Sequence, residues 1–291
     1  MIRFGPSGNS KSFYDQGYSS SVQMPAWLKN MGLNAYEYQC SKGVNIGKSK
    51  AIEIGEQAKE HDIYMSIHAP YYINLISEDP EKKEKSIQYI LQSMEAAVWM
   101  YAERVVVHVG SCTGIDRKEA LKIAISSMKE TIARADDLGL GNISICPETL
   151  GKINQFGTLD EILELCLIDE RMIPTIDFGH LYARSGGKVN SVDEFAAVLE
   201  RIEEVLGYER LKKIHAHFSR IEFTSGGEKR HWTLEDIQYG PEFDYLAEAI
   251  CDKKMEPVII CESRENMAED ALKLKNIYER IAARENSDEK Q

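Results

Sequence analysis

The feature that most constrains this chain is an alternation. Eight short β-branched or aromatic runs take turns with eight longer amphipathic ones. The strand-like runs are Ile2–Gly5, Ala35–Gln39, Ile63–His68, Arg104–Val109, Asn142–Pro147, Ile173–Asp177, Lys213–Phe218 and Pro257–Glu262. The helical runs are Met24–Met31, Ser49–Glu60, Lys83–Tyr101, Arg117–Leu138, Thr158–Leu167, Ser191–Val205, Tyr245–Lys253 and Glu265–Ala283. In Lys83–Tyr101 the apolar residues Ile87, Ile90, Leu91, Met94 and Val98 recur at helical spacing. "TLDEILELC" opens on a Thr cap followed by acids, a normal helix start. Such alternation fits a closed (β/α)₈ barrel or a doubly wound sheet. No G-x-G-x-x-G follows the first strand, so the expectation is an α/β fold, the (β/α)₈ TIM barrel.

A chain of 291 residues fits one such barrel. We expect a single domain over 1–284 and a solvated C-terminal tail at 285–291. The connection between Phe218 and Asp244 is long and rich in glycine and charge, the kind of loop that carries function. No apolar stretch approaches the ~20 residues needed to cross a bilayer, and no secretory signal opens the chain. Six scattered cysteines without a C-x-x-C read as reduced thiols, so a cytoplasmic location is expected. The net charge of −12 argues against general coating of nucleic acid, though not against a local site.

The strand ends are chemically uniform. The third strand closes on His68, the fourth on His108 and the fifth on Glu148. The sixth closes on Asp177 with His180 one turn later, the seventh on His215 and His217, and the eighth on Glu262. The loop after the seventh strand adds His231, and of the seven histidines only His61 lies clearly outside the set. Barrel active sites are built from these C-terminal ends. Any one such histidine is ordinarily a structural residue bonded to nearby backbone, but independent placement would scatter them over helices and loops. Acids and imidazoles converging in an apolar-walled mouth need their desolvation compensated, and metal ions do this. The donor set suits Zn²⁺, or Mn²⁺ or Fe²⁺, rather than calcium. His68, His108, Glu148, Asp177, His180, His217, His231 and Glu262 exceed the needs of one ion. Two or three metals with Glu148 bridging are therefore expected, an arrangement that activates water at a phosphoryl centre.

At this point the series "HAPYYINL", "HVGS", "PETLGK", "IDFGH", "HFSR", "RHWTLED" and "CES" resembles the endonuclease IV family of apurinic/apyrimidinic endonucleases, in order along nearly the whole chain. The resemblance implies a zinc-dependent hydrolase that cuts the DNA backbone 5′ to an abasic site in base excision repair. It also implies ligand sets: His68, His108 and Glu148; then Glu148, Asp177, His217 and Glu262; then His180 and His231. Glu148 and Glu262 would be the catalytic carboxylates. The implied partner is damaged double-stranded DNA, with no membrane and no obligate protein partner.

Three features depart from the family pattern. Lys229 stands two residues before His231 where an Asp is usual, so the third site needs Glu228 or Asp236 in its place. The strand-seven motif reads His217-Phe218-Ser219-Arg220 rather than His-Leu-Asn-Asp, and Gly179 replaces a Cys. His215 competes with His217, since alternation points both to one face; His217, nearer the strand end, is preferred. Tyr71 and Tyr72 occupy the position of the family's duplex wedge, or pack on the barrel rim. Lys42, Lys48, Lys50, Arg220, Lys229 and Arg230 are candidates for a phosphate track, or solvated surface charges. Cys112 lacks a dedicated base and reads as a small loop cysteine. The rival function is a single-metal sugar isomerase or epimerase of the xylose-isomerase-like type, served by Glu148, Asp177, His217 and Glu262 alone. The remaining histidines discriminate, because one metal does not need them.

Overall fold

The computed structural model describes residues 1–288, with side chains to residue 284. The tail expected at 285–291 lies outside the described residues, apart from helix backbone reaching Asp288. Eight parallel strands line a barrel: β1 (Arg3–Pro6), β2 (Ala35–Gln39), β3 (Tyr64–His68), β4 (Arg104–Val107), β5 (Ser144–Pro147), β6 (Thr175–Asp177), β7 (His215–Phe218) and β8 (Val258–Cys261). Two ladders run β2-β3-β4-β5 and β6-β7-β8-β1. Parallel bridges Ser7↔Glu37 and Glu148↔Thr175 join them into a closed cylinder. At the first seam the backbones nearly touch: a Cβ on Gly5 would lie 1.9 Å from the Ala35 carbonyl oxygen. Only glycine permits that approach.

Around the strands lie α1 (Met24–Met31), α2 (Lys48–Glu60), α3 (Pro80–Trp99), α4 (Arg117–Asp137), α5 (Leu159–Cys166), α6 (Val192–Leu206), α7 (Phe243–Asp252) and α8 (Met267–Asp288). Their starts follow local chemistry. Asp79 caps α3 ahead of Pro80, and Asp116 caps α4. Thr158 and Glu161 form a reciprocal capping box on α5. Most strands begin one or two residues later than their apolar runs, because the ladder starts only where a neighbouring strand stands alongside.

Strand alternation divides two environments. Outward residues such as Phe4, Ile67, Val105, Ile176, Ala216 and Ile259 join the main core beneath the helices. Inside the barrel a small separate apolar cluster forms from Ala35, Val258 and Ile260. Much of the interior is polar and buried, including Ser7, Glu37, Ser66, Thr175 and His215.

Two features beyond the barrel shape its mouth. A short helix, Phe178–Arg184, starts directly after β6 and takes Asp177 as its cap. The long connection after β7 folds into an antiparallel hairpin, Arg220–Thr224 with Gly227–Trp232.

Candidate metal centre

The expected acids and imidazoles do converge at the C-terminal mouth. Glu148, fully buried, splits its two oxygens between two sets of partners. Oε2 lies 2.8 Å from His108 Nε2 and 3.3 Å from His68 Nε2. Oε1 lies 3.1 Å from His217 Nδ1 and 3.5 Å from His180 Nδ1. His217 Nδ1 is also 3.5 Å from Glu262 Oε1. Donor atoms of His68, His108 and Glu148 fall within 4.8 Å of one another, as do those of Glu148, Asp177, His217 and Glu262. One carboxylate thus belongs to two groups, either of which could hold an ion.

A third group forms from His180, Glu228 and His231. Glu228 lies 3.4 Å from His180 Nε2 and 3.6 Å from His231 Nε2. Residues 228 and 231 are three apart and would face opposite sides of a regular strand. The hairpin solves this with a bulge: Glu222 pairs with Arg230 and Phe223 with Glu228, leaving Lys229 as the extra residue. Glu228 and His231 then share the inner face, while Lys229 reaches outward to Glu222. Asp236, the other candidate, instead accepts from the Thr233 amide and hydroxyl. Room for Glu228 comes from Gly151, where a Cβ would meet Glu228 Cβ at 2.6 Å. Gly179 is tight for the same kind of reason, with Ile221 of the hairpin 2.7 Å from where a Cβ would stand.

The electrostatics are those of groups that offset one another's burial. Burial alone would raise the Glu148 carboxyl, but His108 and His217 hold it well below the usual range. Burial alone would lower the His68 imidazole, yet Glu148 lifts it to about 9. His231 is likewise lifted to about 9 against burial, chiefly by Glu228, which is itself drawn down to about 2 against burial. Asp177 is the exception: burial raises it above the ordinary value, and its Oδ2 has no hydrogen-bond partner. An orphaned buried carboxylate oxygen amid nitrogen and oxygen donors is a mark of a cation site. The residues therefore fit divalent ions of the zinc class.

The candidate substrate residues are placed less uniformly. Tyr71 and Tyr72 stand on the rim at 53% and 43% exposure, their rings 4.5 Å apart. Lys42 sits in an exposed turn after β2, and Arg230 is exposed with its guanidinium 5.3 Å from the Trp232 ring centre. Trp232 stacks in turn on Tyr239. Arg220 corrects the expectation of a phosphate contact. It is buried and forked onto Glu242 at 2.7 and 2.8 Å, and also donates to the Leu234 carbonyl. It anchors the base of the hairpin and is not free to meet a phosphate. Beside the third group a cleft of about 460 Å³ opens, lined by Gln39, Arg230, His231, Glu262 and Arg264. Cys112 is buried, and burial raises its thiol, in line with a loop cysteine.

Sequence reasoning passed over Glu37. It lies mid-strand in β2, completely buried, with Oε2 2.9 Å from His215 Nε2 and Oε1 3.1 Å from His217 Nε2. His215 is thereby turned to Glu37 rather than to Glu148. The signal was present: an acid at the same parity as the inward-facing Ala35.

Comparison with known proteins places this geometry in context. The chain is 34% identical to an uncharacterized protein of Methanocaldococcus jannaschii over 263 residues, 90% of this chain and 92% of that one. It is 30% identical to a protein of Staphylococcus carnosus named "Probable endonuclease 4", over 65% of this chain and 62% of that protein's length. Among solved structures, endonuclease IV from Thermus thermophilus superposes with a TM-score of 0.69 at 19% identity, covering 97% of this chain and 99% of that one. A D-tagatose 3-epimerase-like protein gives 0.71 at 20%, covering 98% and 99%. At such identities the structural likeness speaks to fold alone. The sequence profile of one family spans residues 25–277, and on that match the chain belongs to the xylose isomerase-like TIM barrel family.

Proposed function

We propose that this chain is a metal-dependent phosphodiesterase of the endonuclease IV type, hydrolysing the DNA backbone 5′ to an abasic site. The observation that carries the reading is that, of the four donor groups among the described residues that could hold an ion, three lie at the mouth, two of them sharing Glu148. A single-metal isomerase needs only Glu148, Asp177, His217 and Glu262. It has no use for His68 and His108 on the far oxygen of Glu148, nor for a bulged hairpin that brings Glu228 to His180 and His231. The relatives named endonuclease 4 support the same choice.

Ions held by these groups would supply positive charge at the phosphoryl centre and make water a better nucleophile near neutral pH. The chain's own residues do the rest. Glu148 ties two groups into one rigid unit, with its two oxygens committed to opposite sides. Glu262, less buried than Glu148 or Asp177, faces the cleft and would orient the attacking water. Tyr71 and Tyr72 would fill the gap in an opened duplex from one rim. Arg230, on the hairpin, and Lys42, in the turn beside Tyr71, would meet phosphates as a local basic border on an acidic body. The test is incubation of the zinc-loaded protein with a duplex bearing one abasic analogue. The reading expects a nick 5′ to the lesion with a 3′-hydroxyl end. An intact duplex beside epimerised ketose would favour the isomerase.

A further inference from the structure

Beneath the mouth lies a second layer of polar groups that the proposed chemistry does not use directly. Glu37 projects from β2 into the barrel, fully buried, and its carboxylate is surrounded. Oε2 lies 2.9 Å from His215 Nε2 and accepts from Ser66 Oγ at 2.9 Å. Oε1 lies 3.1 Å from His217 Nε2 and 3.5 Å from Ser7 Oγ. Ser7 in turn donates to Glu262 Oε1 at 3.1 Å and accepts from Gln39. The layer is thus tied to the mouth at two points, His217 and Glu262.

His217 stands between the two layers. Its Nδ1 faces Glu148 and Glu262, and its Nε2 faces Glu37. Nδ1 is hydrogen-bonded to Glu148 Oε1 at 3.1 Å and Nε2 lies 3.1 Å from Glu37 Oε1, so each ring nitrogen has a carboxylate beside it; an ion taken up beside Glu148 leaves the ring one proton, at Nε2. The neutral ring then presents a lone pair at Nδ1, on the side of the metal-capable donors. Nε2, 3.1 Å from Glu37 Oε1, makes no hydrogen bond, so that donor position is open to Glu37. Histidine ligands are ordinarily fixed from behind in this way, and losing the partner typically costs 10–100-fold in metal affinity.

We propose that Glu37, held by His215 and Ser66, is a positioning residue that sets the tautomer and orientation of His217, so that Nδ1 is the atom offered to an ion shared with Glu148, Asp177 and Glu262. His215 serves as a donor to Glu37 and not as a ligand. Its Nε2 lies 2.9 Å from Glu37 Oε2, and its Nδ1 has no hydrogen-bond partner.

This inference rests on an ion at the Glu148, Asp177, His217 and Glu262 group, which the nuclease and isomerase readings share. It is tested without any substrate. Long-range ¹H–¹⁵N spectra of zinc-loaded wild-type protein, assigned with His217→Gln, read the tautomer directly. We expect His217 protonated at Nε2 and metal-bound at Nδ1. Stepwise competition with a chelator then compares wild type, Glu37→Gln and His215→Gln. Glu37→Gln should weaken one step by roughly 10–100-fold and leave the others in place; His215→Gln should weaken the same step less. A proton on Nδ1, zinc at His215, or unchanged affinity at every step in Glu37→Gln would overturn the proposal. The spectrum is taken on unaltered protein, so a variant that fails to fold does not remove the test. The expected tautomer in a protein that leaves abasic DNA intact would defeat the nuclease reading alone. The opposite tautomer in a protein that cuts it would defeat this inference alone.

Discussion

At the scale of single residues the site divides into those that share an ion and those that serve one group. Glu148 belongs to two groups, so Glu148→Gln should reduce cleavage by more than the roughly 100-fold typical of losing an outer partner. Single-turnover rates on the abasic duplex would measure it, and near-normal cleavage would remove Glu148 from the centre. Glu228 serves one. Glu228→Ala should lower the bound metal by one ion per chain while Lys229→Ala leaves the count unchanged, read by metal analysis after gel filtration. The reverse pattern would return Lys229 to the site. Both variants leave the barrel core untouched, so loss of fold should not confuse the result. Six of the eight candidate ligands were legible at barrel-strand ends, where periodicity locates the mouth, while His180 lies in the helix after β6 and His231 in the hairpin after β7. Glu37 was not, because an acid inside a short strand reads as part of that strand until its neighbours across the barrel are known. Arg220 misled for a related reason: sequence gives the charge, while direction is set by Glu242, 22 residues away in the chain.

At the scale of elements, loops built from local hydrogen bonds hold the site residues in register. Glu161 closes the capping box of α5 and also takes both arms of Arg117, at 2.6 and 2.8 Å. Burial alone would raise its carboxyl, but Arg117 and the Thr158 and Gly157 amides pull it below the ordinary value. The sign follows. A depressed carboxylate stabilises the fold above its unfolded pKa, near 4.3, and that share is lost as pH falls toward the lower folded value. Glu161→Gln should therefore cost about 1–2 kcal/mol at pH 7, and less below about pH 4. Urea unfolding at both pH values checks this, and an equal loss at each would contradict it. The barrel seam gives a harsher case. Gly5→Ala drives a Cβ against the Ala35 carbonyl, backbone that cannot swing away. It should cost at least the roughly 1–3 kcal/mol usual for overpacking, seen as a lowered urea midpoint. The helices and strands were readable to within a few residues, because apolar period and caps are local. The hairpin bulge was not, since it depends on which residue of the loop the partner strand leaves unpaired.

At the scale of the whole molecule, the net charge of −12 and the polar barrel interior accompany a mouth whose donor groups could hold cations. A barrel of this family ordinarily could fill its interior with branched apolar side chains. This one instead buries Ser7, Glu37, Ser66, Thr175 and His215 beneath the mouth, beside a small apolar cluster of Ala35, Val258 and Ile260. Burying Glu37 and His215 is offset by their pairing with each other and with Ser66. Ion binding should accordingly raise stability: for each ion at 100 times its dissociation constant, linkage gives about 2.7 kcal/mol. Chelation should lower the unfolding midpoint reversibly, and re-addition of zinc should restore it.

The measurement that bears most directly on the central claim joins metal content to action on DNA. Protein purified without added metal is analysed for ions per chain and incubated with a duplex carrying one abasic analogue. The account predicts two to three ions of the zinc class and a nick 5′ to the lesion, with the nick lost when the ions are stripped. A single ion per chain with the duplex left whole would contradict it.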